Sequence, residues 1–210
     1  MSPRLAALAG GILLVAVLGG TLGYTLFARG PSDRFETCRS SRIAGGADQI
    51  GGPFTLLDAE GATVTDADVI TKPTLLYFGY TFCPDVCPLD TMRNAEAVEQ
   101  LAARGIDAQG VFVSVDPGRD TPEVVGAFAE NFSDRMVGLT GTPEQVQAAS
   151  RAYRTYYRLG EDAAENPYYL VDHSTFTYLV LPGAGFVELF RRDDTADDIA
   201  TRTACFVDRQ

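Results

Sequence analysis

The sequence predicts a three-layer α/β domain behind a single membrane-spanning helix, and three observations carry that expectation. Leu5 to Ala28 reads LAALAGGILLVAVLGGTLGYTLFA, 24 residues without a charge. As a helix it would extend roughly 36 Å, enough to cross a hydrocarbon layer of about 30 Å. Further on, the apolar stretches KPTLLYFGY and AQGVFVSVD are each followed by a proline-bearing helix start. Continuous apolar runs of this kind suit strands buried on both faces. Late in the chain, STFTYLVLPGAGFVELFRR sets a PGAG turn between two apolar runs, which reads as an antiparallel hairpin.

Taken in order, residues 1–30 are read as an uncleaved anchor. A signal peptide would have a shorter apolar region ending in an A-x-A-like site, and none stands before Arg29. Residues 31–50 are polar and rich in Gly and Ser, a tether into a domain at 51–210. PFTLLDAEGATVT has two short apolar runs around a DAEG turn, a β-hairpin. After the strand KPTLLYFGY, Pro88 suits the first turn of a helix, with Leu89, Met92, Val98 and Leu101 near helical spacing and Gly105 as its stop.

AQGVFVSVD is the second buried strand and ends in Asp116 and Pro117. Thr121 caps a helix with Pro122 in its first turn, and Thr142 with Gln145 has the spacing of a capping box. RMVGLT between these helices reads as a short strand, and TADDIATRTAC as a closing helix. Strands alternating with helices early and an antiparallel hairpin late predict a thioredoxin-like α/β fold with an added N-terminal β-hairpin.

The chain carries a net charge of −11, with every acidic residue beyond residue 30. That argues against nucleic acid and anionic lipid surfaces as partners. Lys72 is the sole lysine, against abundant arginine, alanine and glycine, which suggests a bacterial inner-membrane protein with its domain in the periplasm.

The chemistry concentrates in TFCPDVCP, where Cys83 and Cys87 stand at a strand-to-helix junction. A helix N-terminus lowers thiol pKa and favours the thiolate, the form that reacts and binds metals. Positions four apart on a helical turn share a face, so both sulfurs can aim at one ion, while a disulfide between them also stays open. Two thiolates do not complete a tetrahedral zinc site, which takes four ligands. Two sulfurs and an imidazole suit three-coordinate Cu(I), and hold Cu(II) with a further weak ligand. The chain has one histidine, His173, in YLVDHSTF. In thioredoxin-like folds the loop before the corresponding strand faces the active cysteines, usually with a cis-proline. No proline lies between Pro167 and Pro182, and His173 stands near that place.

YFGYTFCPDVCP, VSVDPGRDTPE, VGLTGTPEQV with RAYRTYY, and YLVDHSTFTYLVLP together resemble the Sco/SenC family, in order from about Gly51 to Arg191. That resemblance implies a membrane-anchored, thioredoxin-fold copper chaperone that supplies the copper A centre of cytochrome c oxidase. It implies copper, as Cu(I), Cu(II) or both, held by Cys83, Cys87 and His173. Its partners would be the oxidase subunit carrying the copper A site, with a periplasmic copper donor and a thiol reductant. Asp85 is a candidate to tune copper from outside the ligand set, and Asp172 to orient the imidazole.

The DPGRDTPE segment reads as a strand end and a helix start, with Arg119 or Asp120 available to a partner rather than to catalysis. Tyr77, Phe78, Tyr80 and Phe82 read as shielding. Cys38 and Cys205 fall outside the matching blocks. In an oxidising compartment they are expected to pair across the domain ends, against intermolecular pairing or two free thiols. The second functional reading is a membrane-anchored thiol–disulfide oxidoreductase acting on oxidase subunit cysteines, with Cys83 and Cys87 as the redox pair. A sensor ranks last, since the sequence contains no output domain.

Overall fold

The computed structural model describes residues 49–210 continuously, with 33–40, Gly46 and, nearer the N-terminus, 11, 14–21, 23 and 24. The chain divides into two compact units, Met1–Thr37 and Cys38–Gln210. In the first, residues 14–21 are helical and expose Leu14, Val15, Val17 and Leu18. Most of the expected anchor lies outside the described residues. Among the described residues, no helix is long and apolar enough to cross a membrane.

The second unit begins with the expected hairpin, β1 (Thr55–Leu57) against β2 (Thr63–Thr65). Its DAEG turn is held by Asp58, whose carboxylate accepts the Glu60 and Ala62 amides at 3.1 and 2.8 Å. A one-turn helix α1 (Asp66–Val69) leads to β3 (Thr74–Gly79), buried at every position. Then follow α2 (Val86–Ala103), β4 (Gln109–Ser114), α3 (Pro122–Glu130), β5 (Met136–Leu139) and α4 (Pro143–Ala152). The two expected caps are present: Thr121 Oγ1 accepts the Val124 amide, and Thr142 and Gln145 form a reciprocal capping box. Gly105, at φ 81°, takes the left-handed position that ends α2.

The chain continues through β6 (Tyr157–Leu159), β7 (Val171–His173), β8 (Thr177–Leu181), β9 (Gly185–Phe190) and α5 (Ala196–Val207). The central sheet has the order β5-β4-β3-β8-β9, with β3, β4 and β5 parallel and β8 and β9 antiparallel additions. β3 is its middle strand, which explains the continuous apolar run. Successive side chains alternate across it: Tyr77 reaches Asp90 on α2, while Phe78 packs on Tyr153 after α4. Both successive crossovers, through α2 and α3, run towards β5, so a right-handed chain leaves both helices on one face. Ala95 of α2 and Ala129 of α3 share a small apolar cluster there.

Two features differ from the sequence expectation. Of the apolar residues near helical spacing in α2, Val98 and Leu101 are buried but Leu89 and Met92 are about half exposed. The first half of α2 buries Cys87, Asp90, Thr91 and Asn94 instead, because it faces a polar constellation rather than plain core. Second, β6 and β7 form a separate two-stranded sheet, and His173 is its last residue rather than the start of a central strand. Arg158 and Asp172, both exposed, are not apolar enough to signal it.

Cys38 and Cys205 are joined in a disulfide that closes a sequence separation of 167 residues. It fastens the start of this unit to α5, which packs on α2 through Arg104 and Asp197 at 2.9 Å. Closing so long a loop restricts the unfolded chain strongly. The double variant Cys38→Ser/Cys205→Ser should lose about 2–5 kcal/mol in non-reducing urea unfolding. Equal midpoints for variant and parent would contradict a structural role for the bridge.

Candidate metal centre

The site forms where β3 ends. Gly79 is its last residue, and a methyl group there would lie 2.9 Å from Cys87 Sγ, Tyr77 and Phe112. Only a glycine lets the sulfur approach this closely. The following loop is pinned from a neighbouring turn, since Asp120 accepts the Thr81 amide at 2.9 Å and its hydroxyl at 2.5 Å. The Cys83 amide then donates to the Tyr80 carbonyl at 3.3 Å. Helix α2 starts three residues later, so Cys87 sits in its first turn, where amides have no partner within the helix. The Cys87 amide donates to Cys83 Sγ at 3.3 Å.

His173 arrives from the opposite side. Its Nε2 lies 3.3 Å from Cys87 Sγ, and its Nδ1 2.9 Å from the Ser174 carbonyl oxygen. A carbonyl only accepts, so the ring proton is on Nδ1, and Nε2 presents its lone pair to the sulfurs. The Tyr77 and Tyr80 rings stand perpendicular to the imidazole, with centroids 6.3 and 5.6 Å from its own. The Cys83, Cys87 and His173 donor atoms all lie within 4.8 Å of one another. Sulfur and nitrogen ligands sit about 2.0–2.3 Å from a first-row metal ion. Two ligands of one ion therefore lie no more than about 4.6 Å apart, and small shifts would let these three hold one.

The sulfurs are free thiols with opposed acidities. The Cys87 thiol bonding to Cys83, aided by backbone amides, lowers the Cys83 pKa to about 3 against the effect of burial. The same bond, together with burial, pushes the Cys87 thiol well up. The pair is thus a thiolate beside a thiol. Beneath Cys87, the buried Tyr77 hydroxyl donates to Asp90 at 3.0 Å. Asp90 in turn lies 3.4 Å from Arg93 and 3.5 Å from Arg192. Burial, then the neighbouring Cys87 and Asp90, raise the tyrosine's pKa, so it remains a neutral donor.

The remaining candidates fall elsewhere. Asp85 is exposed at the start of α2 and makes no capping bond. Asp172 turns away from the imidazole to pair with Arg158 at 3.1 Å, because neighbours on a strand face opposite sides. The Ser174 carbonyl orients the ring in its place. Of the aromatic residues, Tyr77, Phe78 and Tyr80 are buried, whereas Phe82 is half exposed. Arg119 and Asp120, read as available to a partner, are turned inward: Asp120 is fully buried and the Arg119 side chain is 12% exposed. Burial raises the Asp120 pKa, against its bonds from Ser114 and Thr81. The signal for these residues was the charge-rich turn DPGRD directly after a buried strand.

A family model described as SCO1/SenC matches residues 43–208. Protein SenC of Rhodobacter capsulatus is 51% identical over 208 residues, covering 99% of this chain and 92% of its own length. The mitochondrial SCO1 homolog of Homo sapiens is 35% identical over 198 residues, 92% of this chain but 64% of the human protein, less than two thirds of it. The crystal structure of Arabidopsis thaliana ScoI with copper bound is similar at a TM-score of 0.70 and 38% identity, over 76% of this chain and 99% of that one. The structure of Bradyrhizobium japonicum ScoI with copper bound gives 0.66 and 34%, over 74% and 98%.

The split acidities make a pH prediction. Unfolded, both thiols titrate near about 8.5, whereas folded Cys83 titrates near 3. Between those values the unfolded chain binds the extra proton. Cys83 therefore contributes stability that grows as pH rises through this window and is lost as pH falls towards 3. Thiolate absorbance of the reduced, metal-free protein should show one ionised sulfur at pH 6. Cys83→Ser should remove it, and Cys87→Ala should move its midpoint upwards. Absence of thiolate at pH 6 in the parent protein would overturn the assignment.

Proposed function

The chain belongs to the SCO1/SenC family, and on that premise we propose that it carries copper on Cys83, Cys87 and His173 to the copper A centre of cytochrome c oxidase. The observation that carries this reading is the convergence of two free sulfurs and an unprotonated imidazole nitrogen within 4.8 Å. This donor set suits soft copper and is one ligand short of a structural zinc site. Two solved relatives, described with copper bound at 38% and 34% identity, support the choice of metal.

The residues divide the work of loading. Cys83 offers a ready thiolate, and His173 Nε2 a lone pair directed inwards. Cys87 must release its proton as the ion is taken up, so loading gives up one proton per copper and becomes harder as pH falls. The ion would leave by ligand exchange with sulfurs of the receiving subunit. A disulfide between Cys83 and Cys87 removes both sulfur donors, so their redox state gates loading. The exposed apolar helix at 14–21 supports anchoring in the bacterial inner membrane. The Cys38–Cys205 disulfide supports an oxidising compartment, the periplasm, for the domain.

The same thiolate–thiol pair favours a second reading, thiol–disulfide exchange with the oxidase subunit. The Cys83 thiolate would attack a substrate disulfide and release one substrate thiolate. Cys87, deprotonated, would then attack Cys83 and free the second substrate sulfur. Copper needs His173; exchange does not.

Anaerobic Cu(I) titration of the reduced full-length protein should find one tight equivalent. Cys83→Ser, Cys87→Ser and His173→Ala should each weaken it by more than the roughly 10–100-fold typical of losing a residue beside a ligand. Unchanged binding in all three would sink the copper site. Intact oxidase assembly in a His173→Ala strain, with assembly lost in Cys83→Ser, would favour exchange over delivery.

A further inference from the structure

His173 ends a ribbon that lies outside the central sheet, although Tyr169 and Val171 before it are buried in the main core. Its strand β7 pairs with β6 in a two-stranded sheet apart from the central one, and β8 begins only four residues later. Cys83 belongs to a different loop, and among the described residues no backbone ladder joins the two. Besides the direct Tyr80–His173 ring contact, the Arg119 side chain touches both. Arg119 Nη1 donates to the Pro167 carbonyl at 3.1 Å, and its guanidinium carbon lies 3.6 Å from the centre of the Tyr169 ring, on the segment leading to His173. The same group lies 4.7 Å from the Phe82 ring and 5.7 Å from the Tyr80 ring, on the cysteine loop. Its Nη2 is buried and makes no hydrogen bond among the described residues, so ring faces rather than acceptors hold that corner.

The guanidinium is itself anchored. Its Nε donates to Asp116 at 2.6 Å, and Asp116 also accepts the Tyr169 hydroxyl at 2.5 Å. Asp116 lies in a turn stiffened from below: its amide donates to Ser114 Oγ at 3.0 Å, and that hydroxyl donates to Asp120 at 2.5 Å. Asp120 is the carboxylate that pins Thr81. The turn after β4 therefore grips the cysteine loop by Asp120 and the histidine segment by Asp116, with Arg119 between the two.

We propose that Arg119 is a positioning residue that fastens the histidine-bearing segment to the cysteine loop and so keeps the imidazole at the two sulfurs. It acts through His173 and need not touch the metal. The proposal rests on the copper reading for its consequence, but not for the contact itself. A planar, always-charged guanidinium with a fork of donors suits stacking between rings, and lysine does not replace it.

The test uses the full-length protein with Arg119→Lys, which keeps a cation for Asp116 but loses the flat face, alongside Arg119→Ala and His173→Ala. In the reduced, metal-free protein, amide exchange across residues 166–173 should rise at least about tenfold in Arg119→Lys, while β3 and β4 keep their protection. In the Cu(II)-loaded protein, the imidazole nitrogen coupling in the electron paramagnetic spectrum should weaken, and copper should pass to a chelator faster. Parent-like exchange and nitrogen coupling in both Arg119 variants would overturn the proposal. Should Arg119→Ala unfold, Arg119→Lys decides it. Failure of the parent to bind copper, or parent-like copper release by His173→Ala, would count against the copper reading instead. The exchange data on metal-free protein would then decide the contact alone.

Discussion

The Cys87 sulfur is wedged, without exposure, between a glycine and an imidazole at the end of the central strand. Much of the architecture follows from this placement. A buried thiol next to a thiolate needs hydrogen-bonding neighbours, or the charge would be expelled by protonation. The neighbours are the Cys87 amide and the Cys87 thiol, both in the first turn of α2. Gly79 of β3 leaves room for the Cys87 sulfur and His173 closes on it from the ribbon, so the site exists only when strand, helix and ribbon are all assembled.

That assembly is polar where a core would ordinarily be apolar. Asp90, Asp116 and Asp120 are all buried around the site, and each is matched to donors: Tyr77 and two arginines, Arg119 and Tyr169, Thr81 and Ser114. Leaving any of these carboxylates without partners would be strongly destabilising. A buried network with its members paired admits few alternative arrangements, and here the groups it fixes are the loops carrying the donors. Aromatic rings fill the space between, with Tyr77 and Tyr80 perpendicular to His173. The donors thus converge in a largely buried, pre-arranged setting.

Much of the fold was legible from local pattern. Uniformly apolar runs marked β3 and β4, because only central strands between two layers are buried on both faces. Thr121 and Thr142 announced their helices, since capping is a local interaction between residues three apart. The β6–β7 ribbon escaped notice because its strands are short, half-exposed and lack alternation. Leu89 and Met92 misled for a related reason: helical spacing gives a direction, while burial depends on what lies opposite.

For the site, the sequence alone determined the donors. Cys83 and Cys87 announce themselves by spacing and by their place at a helix start, and His173 is the sole imidazole available. Tertiary structure decided what those donors are to one another: the thiolate on Cys83, the proton on Nδ1, and Ser174 rather than Asp172 as the group that orients the ring. It also gave Arg119 its place between two loops that lie far apart in the chain. Those assignments depend on hydrogen bonds and ring contacts between segments up to 86 residues apart. Motif spacing encodes neighbours on one turn of helix; it carries no measure of which distant carbonyl, ring or carboxylate the folded chain will bring alongside.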